Sequence, residues 1–315
     1  MTMNILCTAP VKEFKKTVQF LQSKANTTFL EYPKYEEVLS IIHKFDGFMP
    51  NARMQIDAYL LKNAHNLRVI YQPSLGRDHI DEIECKNKNI RVYGLSDDRQ
   101  FQSTLWSTAE FTVGLILLIL KKYRESSNAV TESGSWKNTD FIGTDLRGKT
   151  VGILGYGNIG SKVDSLLKPF GVKSLKCDPY IEQLDSSYVE LEDLFRLSDI
   201  VTLHVPLTEE TRGMISMKQF SLMRSGYLVN ASRGPVIVDK DIIKAMNEGH
   251  IQSAALDVIN NETPHGVQGH PLVDFSRLNP RLIITPHIGG SSREYLNSIF
   301  LHSAKELIRL LEEET

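Results

Sequence analysis

Cysteine is scarce in this chain. Cys7, Cys85 and Cys177 are the only three among 315 residues. The number is odd, the spacing is wide, and no Cys-x-x-Cys or Cys/His ligand spacing occurs. A disulfide framework and a metal site are therefore not expected, and a reducing cytoplasm is the expected location. An excess of one charge sign is also lacking: 36 Lys and Arg face 38 Asp and Glu, a formal net charge of -2. That balance leaves no electrostatic footprint for nucleic acid or an anionic membrane, and neither is expected as a partner. Long apolar runs are missing too. The most apolar stretch, residues 111–120, falls short of the roughly 20 residues that cross a bilayer and is expected as a buried helix. Residues 1–6 lack the apolar core of a signal peptide and charge follows at Lys12, so no leader is expected. Low-complexity tracts and short-period repeats do not occur. Hydrophobic residues, in contrast, make up 41%, enough for a sizeable core, and the length suits two domains.

The first hundred residues alternate short β-rich runs with amphipathic stretches. Strands are predicted at 4–7, 27–30, 47–49, 67–71 and 90–93, and helices at 14–24, 35–45, 56–63 and 80–86. A long helix is predicted over 103–127 from its apolar spacing. A second alternation follows Gly148, with strands predicted at 150–154, 174–177, 200–204, 227–230, 253–258 and 282–285, and a last charged amphipathic helix over 292–314. Alternation of this kind reads as parallel α/β sheet, so two such sheets joined by a long helix are expected.

The predicted strand Thr150-Val151-Gly152-Ile153-Leu154 runs into Gly155-Tyr156-Gly157-Asn158-Ile159-Gly160 and then a helical stretch. Three glycines in six residues also make an ordinary turn. Here the flanking strand and helix supply the context of a dinucleotide site. Gly155 permits the turn, Gly157 lets the backbone approach a pyrophosphate, and Gly160 lets helix and strand pack closely. The helix N-terminus offers N–H groups and partial positive charge to the phosphates. The next strand ends at Asp178, where an acid meets the adenosine ribose 2′-OH and repels a 2′-phosphate. NAD is the cofactor expected, with Lys176 the one nearby feature that favours NADP.

Three later polar positions each follow an apolar strand. Arg233 comes after Tyr227-Leu228-Val229-Asn230, Glu262 after Ala254-Ala255-Leu256-Asp257-Val258, and His287 after Leu282-Ile283-Ile284. Ligands in open α/β sheets bind beyond the carboxyl ends of strands. Singly, these are a surface charge, a solvated acid and a turn residue. Together they suit hydride transfer to a 2-oxo acid. An arginine fork grips a carboxylate. A histidine donates a proton to the forming alkoxide and recovers it in reverse. A glutamate against the imidazole favours its protonated form and fixes the ring.

Residues 109–290 resemble the D-isomer-specific 2-hydroxyacid dehydrogenase family. The resemblance rests on five ordered blocks: 143–155, 205–213, 230–234, 255–258 and 285–290. Similarity in the first hundred residues is looser, mainly over 74–81. The resemblance implies an α/β fold of two Rossmann-like domains with parallel sheets and an interdomain cleft. Residues 1–100 with 291–315 would form the substrate domain and 101–290 the NAD-binding domain. It implies Arg233, Glu262 and His287 as catalytic residues. It places the nucleotide contacts at Gly155, Gly157, Asn158, Ile159, Gly160, Asp178, Val205, Pro206, Ala231, Ser232, Arg233, Asp257, His287, Gly289 and Gly290. The substrate carboxylate would meet the backbone amides of Ser74, Leu75 and Gly76. A homodimer through the 103–127 region is implied as well.

Several positions depart from the family pattern. His79 follows Asp78 where Asn is common, Ile259-Asn260 replaces Phe-Glu, and Thr263-Pro264-His265 follows Glu262. The loop over 95–106 is polar and idiosyncratic. These leave the substrate open among small 2-oxo acids, with D-3-phosphoglycerate dehydrogenase and glyoxylate/hydroxypyruvate reductase as alternatives. An NAD-sensing scaffold or corepressor is the alternative of another class. Phosphoglycerate is disfavoured, because Asn51 and Gln72 stand where phosphate-gripping arginines would, although Arg53 and Arg77 lie close by.

Overall fold

Apolar runs of three to six residues, each followed by a turn and a helix, build two separate parallel sheets. The computed structural model describes residues 3–51, 54–181, 185–262 and 266–313. The chain divides into two units, Met1–Leu105 with Ser291–Thr315, and Trp106–Gly290.

The first unit holds strands β1 (Asn4–Cys7), β2 (Asn26–Phe29), β3 (Gly47–Met49), β4 (Val69–Gln72) and β5 (Arg91–Gly94) in the order β2-β1-β3-β4-β5. Every pairing is parallel. Its helices are α1 (Lys15–Lys24), α2 (Tyr35–Ile41), α3 (Ala58–Lys62), α4 (Glu82–Asn87) and α5 (Arg99–Ser103). β3 and β4 are buried along their whole length, as central strands covered on both faces should be. The chain leaves β1 on both sides, toward β2 and β3, so the sheet's switch point lies at Thr8 and Asn51.

The second unit holds β6 (Thr150–Leu154), β7 (Lys173–Cys177), β8 (Ile200–Leu203), β9 (Gly226–Asn230), β10 (Ile251–Leu256) and β11 (Leu282–Ile284). Their order is β11-β10-β9-β8-β6-β7, again all parallel. Its helices are α6 (Ser107–Leu120), α7 (Tyr123–Ser133), α8 (Asn158–Leu167), α9 (Leu191–Leu197), α10 (Met217–Phe220), α11 (Asp239–Asn247) and α12 (Pro271–Leu278). Here the order reverses between β6 and β8, which puts the glycine turn after β6 at the switch point.

The last helix, α13 (Arg293–Glu312), returns to the first unit. It buries Ile299, Phe300, Ala304, Leu307, Ile308 and Leu311 in one core with Ile5, Met49 and Val69. A Cβ on Gly47 would fall 2.7 Å from Leu311 Cδ1, so the helix seats directly on β3.

Three predicted elements differ from the structure. The helix expected over 103–127 is three helices, broken at 104–106 and again at Lys122, whose φ of 50° is left-handed. The stretch Arg99–Leu120 is long and apolar enough to cross a membrane by length and composition alone. The break divides it, and α6 buries Ala109, Thr112, Val113, Leu115, Ile116, Ile119 and Leu120 within the second unit. Ile56 and Ile80, expected at helix starts, instead form a parallel bridge with each other. The helices α3 and α4 begin after them, capped by Asp57 and Asp81 side chains that accept from Leu60 N and Glu84 N, each at 2.9 Å.

Leu307 is fully buried between α13 and the sheet. Leu307→Ala should cost about 2–5 kcal/mol, the range for emptying a leucine site in a core. Thermal or urea unfolding followed by circular dichroism checks this. A loss under about 1 kcal/mol would show that α13 does not hold the first unit together.

Candidate active site

The turn after β6 is built for close approach. A Cβ on Gly160 would sit 2.0 Å from the Gly155 carbonyl oxygen, so only glycine lets α8 start so near the strand. A Cβ on Gly157 meets nothing within 4 Å; the protein leaves that space open. The amides of Gly157, Asn158, Ile159 and Gly160 make no hydrogen bond among the described residues. Four unpaired N–H groups at the start of a ten-residue helix, over a space that a side chain would fill, fit a dinucleotide pyrophosphate.

Asp178 stands beside this turn. One carboxylate oxygen accepts from Tyr156 N at 2.8 Å and the other from Tyr180 N at 3.0 Å. Tyr156 is held at its other end too, since its hydroxyl donates to the buried Asp164 at 2.6 Å. Ser174 Oγ donates to the second Asp164 oxygen at 2.5 Å. The Lys176 ammonium lies 4.7 Å from the Tyr156 ring centroid and 5.1 Å from that of Tyr188, so this cation is engaged with two aromatic faces. Val205 and Pro206 follow β8, where His204 N donates to Leu154 O at 2.7 Å and holds the segment against β6.

The three polar positions emerge from neighbouring strands. Arg233 follows β9, Glu262 follows β10 and His287 follows β11, and these strands lie side by side. Asn230, fully buried at the end of β9, accepts from Ser232 N at 2.9 Å and Ser232 Oγ at 2.7 Å, and donates to Arg233 O at 3.0 Å. This asparagine turn fixes the backbone that carries Arg233. One Nη of Arg233 donates to Ser232 O at 2.8 Å. A Cβ on Gly234 would lie 2.1 Å from the Ile259 carbonyl. The chain after β9 therefore touches the chain that leads to Glu262.

His287 Nδ1 and Glu262 Oε1 are hydrogen-bonded, and Ile259 N donates to Glu262 Oε2 at 3.4 Å. The carboxylate accepts, so Nδ1 carries a proton. Nε2 makes no hydrogen bond among the described residues. His287 sits at φ 56°, an uncommon conformation for a non-glycine residue. Its turn is held by Asp257. Oδ1 accepts from Thr285 Oγ1 at 2.6 Å and Ile288 N at 2.9 Å, and Oδ2 accepts from Gly289 N at 2.8 Å. His287 N itself donates to Asp257 O at 2.9 Å. Burial raises the Asp257 carboxyl above its ordinary range, while these donors oppose the shift.

One departure in the second unit acquires a structural reason. Asn260 Nδ2 donates to Asp239 Oδ1 at 2.5 Å and to Ile237 O at 3.3 Å. A glutamate there would meet the Asp239 carboxylate and be repelled. Thr263, Pro264 and His265 lie outside the described residues.

In the first unit, the arch after β4 carries Ser74, Leu75 and Gly76. The amides of Leu75 and Gly76 make no hydrogen bond among the described residues. Sequence reasoning passed over Asn230, Asp164, Tyr156 and Thr285. Asn230 had a signal, a serine two residues on, which is the mark of an asparagine turn; the others act through tertiary contacts.

Residues 113–289 match the model of the D-isomer specific 2-hydroxyacid dehydrogenase, NAD binding domain. The chain is 33% identical to the glyoxylate reductase of Aeropyrum pernix, over 88% of this chain and 83% of that protein. It is 30% identical to the D-3-phosphoglycerate dehydrogenase of Archaeoglobus fulgidus over 87% of this chain, which spans about half (51%) of that protein. Its fold superposes on the crystal structure of the Aquifex aeolicus D-lactate dehydrogenase complexed with NAD and lactic acid. The TM-score is 0.86, with 25% identity over 99% of this chain and 96% of that one.

The two glycines separate cofactor binding from folding. Gly157→Ala should leave the melting temperature near wild type and weaken NADH binding at least about tenfold, since a methyl enters the phosphate space. Gly160→Ala should lower the melting temperature, because overpacking against backbone costs about 1–3 kcal/mol. Fluorescence titration with NADH and thermal unfolding check both. Unchanged NADH affinity in Gly157→Ala would remove the turn from the cofactor site.

Proposed function

Because the chain belongs to the D-isomer specific 2-hydroxyacid dehydrogenase family, we propose that it reduces a small unphosphorylated 2-oxo acid, of the size of glyoxylate or hydroxypyruvate, with NADH. The family assigns the reaction class: hydride transfer between NAD(H) and a small 2-hydroxy or 2-oxo acid. The residue roles and the substrate are the proposal.

The turn of Gly155, Gly157 and Gly160 would hold NADH, which when bound would supply the hydride for the 2-oxo carbon. Arg233 takes the substrate carboxylate with its planar fork and polarises the adjacent carbonyl. His287 Nδ1 is committed to Glu262, which leaves Nε2 to give its proton to the forming alkoxide. Glu262 holds the ring by its hydrogen bond to Nδ1. Leu75 and Gly76 offer amides to the carboxylate. Asp178, fixed against the turn, accepts from the ribose hydroxyl and disfavours a 2′-phosphate. Val205, Pro206, Ala231, Ser232, Gly289 and Gly290 line the cofactor in this reading. Asp257 gathers the turn that carries His287.

The observation that carries the substrate reading is that, among the described residues, no usable cation stands at the phosphate positions. Asn51 and Gln72 are both buried and neutral. Arg77 is committed elsewhere, its Nε 3.0 Å from Glu82 and its Nη1 2.7 Å from Asp97. Arg53 lies outside the described residues.

A second copy of this chain is the partner we propose. α7 buries none of its residues, and Tyr123, Val130, Trp136 and Ile142 are exposed along one continuous segment. Such apolar surface is the mark of an interface. A reducing cytoplasmic setting suits the three free thiols of Cys7, Cys85 and Cys177.

Turnover of NADH with glyoxylate, hydroxypyruvate and 3-phosphohydroxypyruvate tests the proposal. The unphosphorylated acids should be preferred; a preference of about a hundredfold for the phosphorylated one, some 2.7 kcal/mol, would overturn it. No turnover with any 2-oxo acid would favour an NAD-sensing role. His287→Ala should lower kcat about 10²–10⁴-fold with NADH affinity retained.

Trp136→Glu should convert the dimer to monomer in light scattering after size exclusion. An unchanged mass would place the interface elsewhere.

A further inference from the structure

The arch that carries Ser74, Leu75 and Gly76 is held by a chain of hydrogen bonds whose direction can be deduced. Gln72, at the end of β4, is fully buried, and His79, where the chain comes back, is nearly so. Gln72 Nε2 lies 2.7 Å from Ser74 Oγ, Ser74 Oγ lies 3.1 Å from Gly76 O, and Gln72 Oε1 lies 3.1 Å from His79 Nε2. The Gly76 carbonyl only accepts, so the single Ser74 hydroxyl proton goes to it. Ser74 Oγ must then accept from the Gln72 amide nitrogen. That turns the Gln72 oxygen toward His79, whose Nε2 must carry a proton and donate. One obligatory acceptor thus sets the polarity of all three bonds: His79 to Gln72, Gln72 to Ser74, Ser74 to the Gly76 carbonyl.

The flanks of the arch are fixed as well. Ile56 N donates to His79 O at 2.8 Å, and Asp81 N donates to Ile56 O at 2.9 Å. A Cβ on Gly94 would lie 2.9 Å from Gln72 O, so β5 presses against the base of the arch. Arg77 leaves the arch toward Asp97 and Glu82. With the base, the flanks and the Gly76 carbonyl all tied, the amides of Leu75 and Gly76 stay unpaired.

We propose that Gln72 and His79 are positioning residues that hold the arch in its carboxylate-receiving form, and that this chain makes the site specific for unphosphorylated 2-oxo acids. Gln72 occupies a phosphate position and uses both ends of its amide to shape the arch. An arginine at 72 has no acceptor for His79, so a phosphate grip and this arch exclude each other. His79 in place of the family's asparagine is part of the same device. The inference rests on the proposed function for its substrate. The holding of the arch does not depend on it.

The test uses full-length Gln72→Met, Ser74→Ala and Ser74→Thr proteins, with two readouts. Hydrogen–deuterium exchange over residues 73–79 should speed up in Gln72→Met and Ser74→Ala, by about tenfold for a loss of one or two net hydrogen bonds, and return toward wild type in Ser74→Thr. KM for glyoxylate or hydroxypyruvate should rise about tenfold in the first two, with kcat changed far less and NADH affinity retained. Exchange equal to wild type in both Gln72→Met and Ser74→Ala overturns the chain as the device that holds the arch. If Gln72→Met does not fold, Ser74→Ala against Ser74→Thr decides alone. Faster exchange with unchanged KM overturns the specificity role and leaves the arch outside the substrate site. Wild-type protein without turnover on any unphosphorylated acid overturns the proposed function, and with it the specificity role, while exchange still reports on the arch.

Discussion

A buried carboxylate that gathers a turn is the constraint on which the site depends. Asp257 takes three donors from residues 285–289: the Thr285 hydroxyl and the Ile288 and Gly289 amides. Buried charge is costly unless fully satisfied. Losing one donor would leave the carboxylate short, so the turn has one low-energy form. That form includes His287 at positive φ, which a freely chosen loop would avoid. The imidazole is thereby set against Glu262 without side-chain searching. Strain in one residue is offset by the hydrogen bonds of its neighbours.

The same logic recurs across the second sheet. Asn230 folds the chain after β9 onto itself, and Gly234 allows that chain to touch the one after β10. Tyr156 ties the glycine turn to Asp178 by its amide and to Asp164 by its hydroxyl. Side chains that cap these turns set the backbone that carries Arg233 and His287. Small polar residues at the ends of parallel strands thus convert a regular scaffold into a site with a definite geometry.

Much of this was legible in the sequence, and the reasons are physical. Parallel strands buried on both faces are apolar runs, so their existence shows plainly, while their ends shift by a residue or two. β10 stops at Leu256 and leaves Asp257 outside it. Glycine at 160 announces close approach because a Cβ there would lie 2.0 Å from the Gly155 carbonyl oxygen. The break at Lys122 gives no such sign: Leu120-Lys121-Lys122-Tyr123 contains neither glycine nor proline, and apolar spacing continues across it. Ile56 and Ile80 look like helix starts because a single bridge pair carries no period. Asp164 reads as a surface residue of α8, and only its contacts with Tyr156 and Ser174 explain its burial. The bond between Gln72 and His79 spans an arch whose shape the sequence does not encode locally.

The central claim is that Asp257 acts by holding His287 in place for proton transfer. A double-mutant cycle on kcat, with Asp257→Asn and His287→Ala singly and together, tests it most directly. Asparagine keeps the shape but offers one acceptor oxygen in place of two. If Asp257 works through His287, its substitution lowers kcat strongly in the wild-type background and by less than about threefold in the His287→Ala background. Equal losses in both backgrounds would contradict the account and assign Asp257 an independent role.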